Sequence, residues 1–285
     1  GLGDVYKRQY QKWQSTDGLE GPAAVEVTTG LKAVDLVKAT EEQGLIRVWP
    51  PALNDRLDGG LRRGHHMLVF ARPEMGKTLM LVNMMAGYAA QGLTVLYVGN
   101  EDPQADIQER LMCRMARLPK VELYKDPETV DALAEDAGYY NVKWMDATPG
   151  TPAEIEAAIE QCDPDVVLID QLRNINVRED HFVQALEKAA TAARNIAKKH
   201  NVVVVSVTQA GNSAEHKSVL DMGDVDSSNT GIPAQVDVMV GIGATQDDLD
   251  HNRRILSLPK NKRSGCHEYF PVRIDPTIGL MRNAS

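Results

Sequence analysis

Residues 71–78 read ARPEMGKT, and this string constrains the fold more than any other in the chain. Gly76 lets backbone approach a phosphate closely, and successive N–H groups at the start of a following helix then cradle the anion. Lys77 is placed to reach the β- and γ-phosphates of a nucleoside triphosphate, and Thr78 to ligate Mg²⁺. Ala71 stands where the general pattern has its first glycine. Ala71, Arg72, Pro73, Glu74, Met75, Gly76, Lys77, Thr78 and Leu79 are therefore expected to surround the nucleotide. Such a loop works only between a strand and a helix. The apolar run HMLVFA at 66–71 precedes it and a helical stretch at 77–90 follows it.

The rest of the chain repeats that alternation. Strands are expected at 94–99 and 141–146, with helices at 105–116, 125–137 and 152–161. VVLID at 166–170 and VVVVSV at 202–207 are continuous β-branched runs, the signature of central parallel strands covered on both faces. Between them Phe182, Leu186, Ala189, Ala193 and Ile196 recur at helical spacing across 181–199. Strands separated by helices of this length imply right-handed βαβ units and a parallel sheet. Segments 236–242, 254–258 and 269–274 have little helical sequence between them, so the sheet is expected to end in antiparallel strands. The fold class is α/β, with a mostly parallel central sheet.

Residues 50–285 read as one domain and 1–49 as an arm. The arm carries a helix at 31–42, with Leu31, Val34 and Val37 on one face. That face packs on its own core or docks on a neighbouring subunit. The chain opens on Gly1, and residues 1–9 read as a start that is not native.

Three further positions carry chemistry. Asp170 ends VVLID, and ligands of open α/β sheets bind at the carboxyl ends of strands. A carboxylate there holds the Mg²⁺ shell or caps the next segment. Glu101 follows the strand beside the phosphate-loop strand, where a general base for water must sit. Asp102 competes with it, and the two also suit an N-cap. Gln209, at the end of VVVVSVTQ, is placed to report the γ-phosphate to the polar stretch 210–232 or is a polar strand end. Long loops of this kind are usually functional or disordered.

Composition narrows the partners. The net charge of −9 argues against a generally basic nucleic-acid coat, but not against a local basic channel. Five basic residues and no acidic one fall between Arg253 and Arg263, as a solvated strand edge or as something functional. Cys113, Cys162 and Cys266 have no metal-ligand spacing and read as reduced thiols. His65 and His66 read as a turn before a strand, and Trp13, Trp49 and Trp144 as packing residues. No apolar run approaches the ~20 residues that span a bilayer.

LDGGLRRGHHMLVFARPEMGKTLMLVNMMA, GNED and KNKRSG together resemble the C-terminal RecA-like ATPase domain of DnaB-type hexameric replicative helicases, phage versions included. The likeness covers roughly residues 50–285. It implies Glu101 as catalytic glutamate, Asp170 as the Mg²⁺-associated aspartate and Gln209 as γ-phosphate sensor. It implies Arg263 as a finger on the neighbouring subunit's ATP. Lys260 is its companion, with Lys262 as competitor because two residues separate Lys260 from Arg263 where the family has one. Stretch 210–232 corresponds to a DNA-binding loop, in which Lys217 is the one Lys or Arg. The expected partners are ATP, Mg²⁺, single-stranded DNA, further copies in a hexameric ring, and a primase or loader, with no membrane. The expected setting is the cytoplasm of a bacterial or phage-infected cell. The family's N-terminal domain or fused primase is not in this sequence, which reads as a helicase module or fragment. Alternatives are a RecA-like recombination or plasmid-replication ATPase, or a non-unwinding regulatory ring.

Overall fold

Alternate residues of each central strand face opposite sides of the sheet, and here both sides are covered. A computed structural model of the chain describes residue 30 and residues 32–148, 150–179, 181–226 and 231–284. Residues 1–9, Trp13 and Leu31 lie outside the described residues, as do 227–230 of the polar stretch. The chain divides into two compact units, Gly1–Glu42 and Gln43–Ser285. A helix covers Ala33–Gln43, with Val34 and Val37 exposed.

Among the described residues the larger unit holds nine strands: β1 His66–Ala71, β2 Val95–Gly99, β3 Val142–Asp146, β4 Val166–Asp170, β5 Val203–Gln209, β6 Val238–Gly243, β7 Arg253–Asn261, β8 Tyr269–Asp275 and β9 Leu280–Asn283. They form one sheet in the order β3-β2-β4-β5-β1-β6-β7-β8-β9. β1 to β6 run parallel, and β7 to β9 add antiparallel pairs. This is the mixed sheet expected from the sequence.

On one face Met67, Val69, Val166, Leu168, Val203 and Val205 pack under the helices Lys77–Ala89 and Gln104–Ala116. On the other, Leu68, Phe70, Val167, Ile169 and Val204 meet the helices Pro152–Cys162 and Phe182–Lys199. The latter helix buries Leu186, Ala189, Ala190, Ala193, Ile196 and Ala197; its alanines let it lie close to the sheet. Each fully buried Leu or Ile contributes about 1.5–3 kcal/mol, so the apolar runs stabilise the same sheet edge that carries the chemistry.

Two boundaries differ from expectation for local reasons. The helix anticipated at 125–137 is present as Pro127–Asp136, and a further short helix, Lys120–Lys125, precedes it. Asp126 breaks them: its side chain accepts from the Thr129 N–H, and Pro127 occupies the first helical turn, where its missing N–H costs nothing. The last strand, β9, was hidden by its shortness. It is tied in by Asn83, a buried side chain of the helix Lys77–Ala89. Asn83 Nδ2 donates to Leu79 O and Gly279 O, both at 2.9 Å, and its Oδ1 accepts from Arg114 Nε at 2.7 Å and Met281 N at 3.0 Å. That one amide joins the phosphate-loop helix, the next helix and the C-terminal hairpin.

His66 is wholly buried. Its ring bonds Ser206 Oγ at 2.7 Å and Gln235 O at 3.1 Å, and burial lowers its pKa to about 4. It is a packed neutral imidazole. Trp49 donates to Met281 O at 2.5 Å and Trp144 leans on Tyr97 with ring centroids 5.4 Å apart. Among the described residues no helix is long and apolar enough to cross a membrane.

Candidate nucleotide site

The carboxyl ends of β2, β4, β5, β1 and β6 lie along one edge, and the candidate residues gather there. The loop between β1 and the helix Lys77–Ala89 turns through two left-handed residues, Glu74 (φ 64°) and Gly76 (φ 102°). Glycine adopts this conformation freely, whereas for Glu74 it costs roughly 1 kcal/mol or more. The helix that follows has no side-chain cap, so its first N–H groups and dipole are open to an anion.

Lys77 is buried at 8 % exposure. Burial lowers its pKa, while the carboxylates of Glu101 and Asp170 oppose that shift and Arg173 and Arg72 add to it. Asp170 is 1 % exposed. Burial, and after it the charge of Glu101, push its carboxyl up to about 6, against hydrogen bonds from Tyr97 and Thr78 that favour ionisation. Tyr97 Oη donates to Asp170 Oδ2 at 3.1 Å. The other oxygen, Oδ1, is buried and has no hydrogen-bond partner among the described residues. A buried acceptor is rarely left so without a role. An unpaired carboxylate oxygen beside the Thr78 hydroxyl is the hard-oxygen donor set that Mg²⁺ takes, so these residues fit that ion.

The strand before Glu101 is not beside the phosphate-loop strand as expected: β4 and β5 lie between β2 and β1. Glu101 is exposed just past the end of β2, yet near enough to Lys77 and Asp170 to shift both. Its placement comes from Asn100, which sequence reasoning passed over. Asn100 Nδ2 donates to Gln171 O at 3.0 Å, its Oδ1 accepts from Gln171 N at 2.5 Å, and its own N–H donates to Asp170 O at 2.9 Å. The end of β2 is thereby clamped to the end of β4. Asp102 instead pairs with Arg110 at 3.5 Å.

Gln209 stands opposite Ala71 in the β1–β5 register, so the strand end and the phosphate loop are neighbours. The segment that follows is folded on itself. Ala210 bridges Val225, Gly211 N donates to Asp224 O at 2.8 Å, and Asp221 and Asp224 form a capping box. Lys217 Nζ lies 2.8 Å from the buried carboxylate of Asp224, so its charge is partnered within the loop. Arg72 spans from the phosphate loop to this segment, donating to Ala210 O at 3.2 Å and Asn212 Oδ1 at 3.3 Å. Arg254 Nε donates to Met75 O at 3.2 Å, bracing the loop from β7. The signal for Arg254 was present in the basic run 253–263, but charge alone does not say which residue turns inward.

Lys260, Lys262 and Arg263 are not brought to this edge. Val238 at the start of β6 pairs with Asn261, whereas Gly243 at its end pairs with Ile255. The KNKRSG segment thus lies beside the strand starts, about 17 Å along the strands from the phosphate loop at ~3.3 Å per residue. There Lys260 Nζ bonds Pro233 O, Lys262 lies 3.4 Å from Asp237, and Arg263 Nε donates to Gly60 O at 3.1 Å. Asp237 stays below the usual carboxylate range despite its burial, through the His66 N–H and neighbouring cations.

Beside the phosphate loop a cavity of ≈520 Å³ opens, with Gly76 and Leu79 on one wall and Pro276 and Ile278 on another. A second of ≈520 Å³ lies between Arg72, Met75, Lys217 and Thr245.

A family model described as an AAA domain matches residues 33–215, more than half of the chain. Among solved structures, one described as an ATPase domain is similar over 100 % of this chain and 99 % of that one, at 17 % identity and TM-score 0.72. A DnaB-like replicative helicase, whose structure was described with its interactions with primase, is similar over 99 % and 71 % at 18 % identity and TM-score 0.73. The RadB recombinase is similar over 85 % and 100 % at 14 % identity and TM-score 0.61. At these identities the likeness carries the fold, which is that of RecA-like helicases and recombinases.

Proposed function

The chain belongs to the AAA-domain family and is a P-loop ATPase, and from that premise we propose that it is a DnaB-type helicase subunit that hydrolyses ATP to move along single-stranded DNA. The observation that carries the reading is the buried Asp170 carboxyl, bonded by Tyr97, with Oδ1 unpartnered among the described residues and Thr78, Lys77 and Glu101 close by. Structural pairs are closed by their partners, whereas one oxygen of this group has none among the described residues.

In this reading the loop amides and Lys77 bind and orient the β- and γ-phosphates, and the cavity at Leu79 and Ile278 takes the nucleoside. Thr78 and Asp170 would hold Mg²⁺, which when bound would supply neutralisation of phosphate charge. Glu101 accepts a proton from the attacking water. Gln209 senses the γ-phosphate and the polar stretch 210–232 meets DNA. Arg263 cannot reach its own phosphate loop from the opposite edge, and this supports a finger acting on the next subunit's ATP in a ring. Residues 50–285 form the ATPase domain, and the arm 1–49 lends its helix to a neighbouring copy. A primase or loader is a further partner. The similarity to the RadB recombinase keeps a recombination ATPase as the second reading.

Loop 210–226 contains no aromatic residue, so DNA contact is to the backbone. The test is ATP turnover with and without single-stranded DNA across a salt series. DNA is expected to raise turnover, and its affinity to fall with a log–log slope of about −0.7 per phosphate neutralised. Turnover indifferent to DNA, or salt-insensitive binding through stacking, would count against the proposal.

A further inference from the structure

Arg173 belongs neither to the phosphate loop nor to the residues given a role in hydrolysis, yet its charge reaches Lys77 and its guanidinium lies near Asp226 of the polar loop. It sits in the short 3-10 turn Leu172–Asn174 immediately after β4. The turn is pinned by Asn174 Nδ2, which donates to Asn100 O at 3.1 Å. The guanidinium lies 5.0 Å over the Phe182 ring. Its Nη2 is 4.0 Å from Asp226 Oδ2, with both side chains partly exposed. Its charge also reaches Lys77, whose pKa it helps to lower. Asp226, in turn, donates its N–H to the Gln209 carbonyl at 3.2 Å.

We propose that Arg173 is a switching residue that exchanges its ion pair with Asp226 for the γ-phosphate of ATP, and so reports nucleotide state to loop 210–226. The argument rests on the helicase reading for the identity of the loop's ligand. A pair at 4.0 Å between partly exposed groups is weak and easily exchanged. A γ-phosphate beside Lys77 carries more charge than a carboxylate and suits the planar guanidinium fork. Stacking on Phe182 guides the guanidinium along one path. With ADP bound, no γ-phosphate competes and Asp226 keeps Arg173. The end of loop 210–226 is then held beside Gln209. With ATP bound, Asp226 is released and the loop takes its second arrangement. Gln209 and Arg173 thereby act on the two ends of one loop.

The test uses the full chain, a fluorescein-labelled oligothymidylate, and two nucleotides, ADP and ATPγS. Wild type is expected to bind the oligonucleotide about ten-fold differently in the two states, a usual size for coupling between sites. Arg173→Ala and Asp226→Asn should each bring the ratio to roughly two-fold or less, with the ADP-state affinity moving to the ATPγS value. Because both break the same pair, the double variant should be no worse than either single one. Arg173→Lys, which keeps the charge, should restore part of the ratio. Thermal melts matching wild type exclude a loss of folding. If wild type shows no nucleotide-dependent binding, the helicase reading itself fails. If wild type shows it and the variants keep the ratio, or their effects simply add, Arg173 is only a packing residue.

Discussion

Arg263→Ala is expected to lower ATP turnover in the assembled protein by roughly 10³-fold or more, the value of an arginine finger, with ATP still bound. Register explains why the effect must cross a subunit boundary. Asn261 pairs with Val238 at the start of β6, and the phosphate loop lies past the other end of that strand. In the proposed reading the finger would therefore work in trans, and complementation tests this. Lys77→Ala loses its own site but offers an intact Arg263; Arg263→Ala does the reverse. In mixed rings with head-to-tail interfaces, roughly a quarter of the interfaces regain both groups. Turnover that recovers on mixing is the expected result. No recovery despite proven co-assembly would make Arg263 a local brace of Gly60 O. A lowered melting temperature in Arg263→Ala, rescued by Arg263→Lys, would point the same way.

Glu101→Gln is expected to slow hydrolysis by about 10²–10⁴-fold, the usual contribution of a general base, while ATP binding persists. The amide keeps shape and removes the proton acceptor. Asp102→Asn is expected to do far less, because Asp102 is already paired with Arg110 and is turned to the following helix. Single-turnover kinetics separate binding from chemistry. A larger chemical defect in Asp102→Asn than in Glu101→Gln would reverse the choice between the neighbours.

What the sequence revealed was whatever rests on local pattern. The runs at 166–170 and 202–207 announced parallel strands because both of their faces are apolar, and ARPEMGKT needed only a strand before it and a helix after it. Boundaries set by caps were less plain. Asp126-Pro127 set the start of the helix expected at 125–137 and part it from the unforeseen short helix Lys120–Lys125. The site was legible as residue types and not as pairings. That Asn100 clamps β2 to β4, that Arg254 turns in to Met75 O, and that Lys217 is matched by Asp224 all depend on segments far apart in the chain or on how a loop closes. The three candidates of KNKRSG separate in the same way. Lys262 faces Asp237 and Lys260 reaches Pro233 O, whereas Arg263 bonds through Nε alone. Its terminal guanidinium nitrogens make no hydrogen bond to the described residues.

In the proposed function, ATP hydrolysis at this site drives strand separation. Its most direct test is a forked duplex with one labelled strand, incubated with the protein and ATP, or with ATPγS in its place, while the mass of the assembly is measured. The expected result is a ring-sized assembly that releases the labelled strand with ATP and leaves it paired with ATPγS. Hydrolysis stimulated by single-stranded DNA, with the fork left intact and strands exchanged instead, would contradict the helicase reading and favour the recombination ATPase.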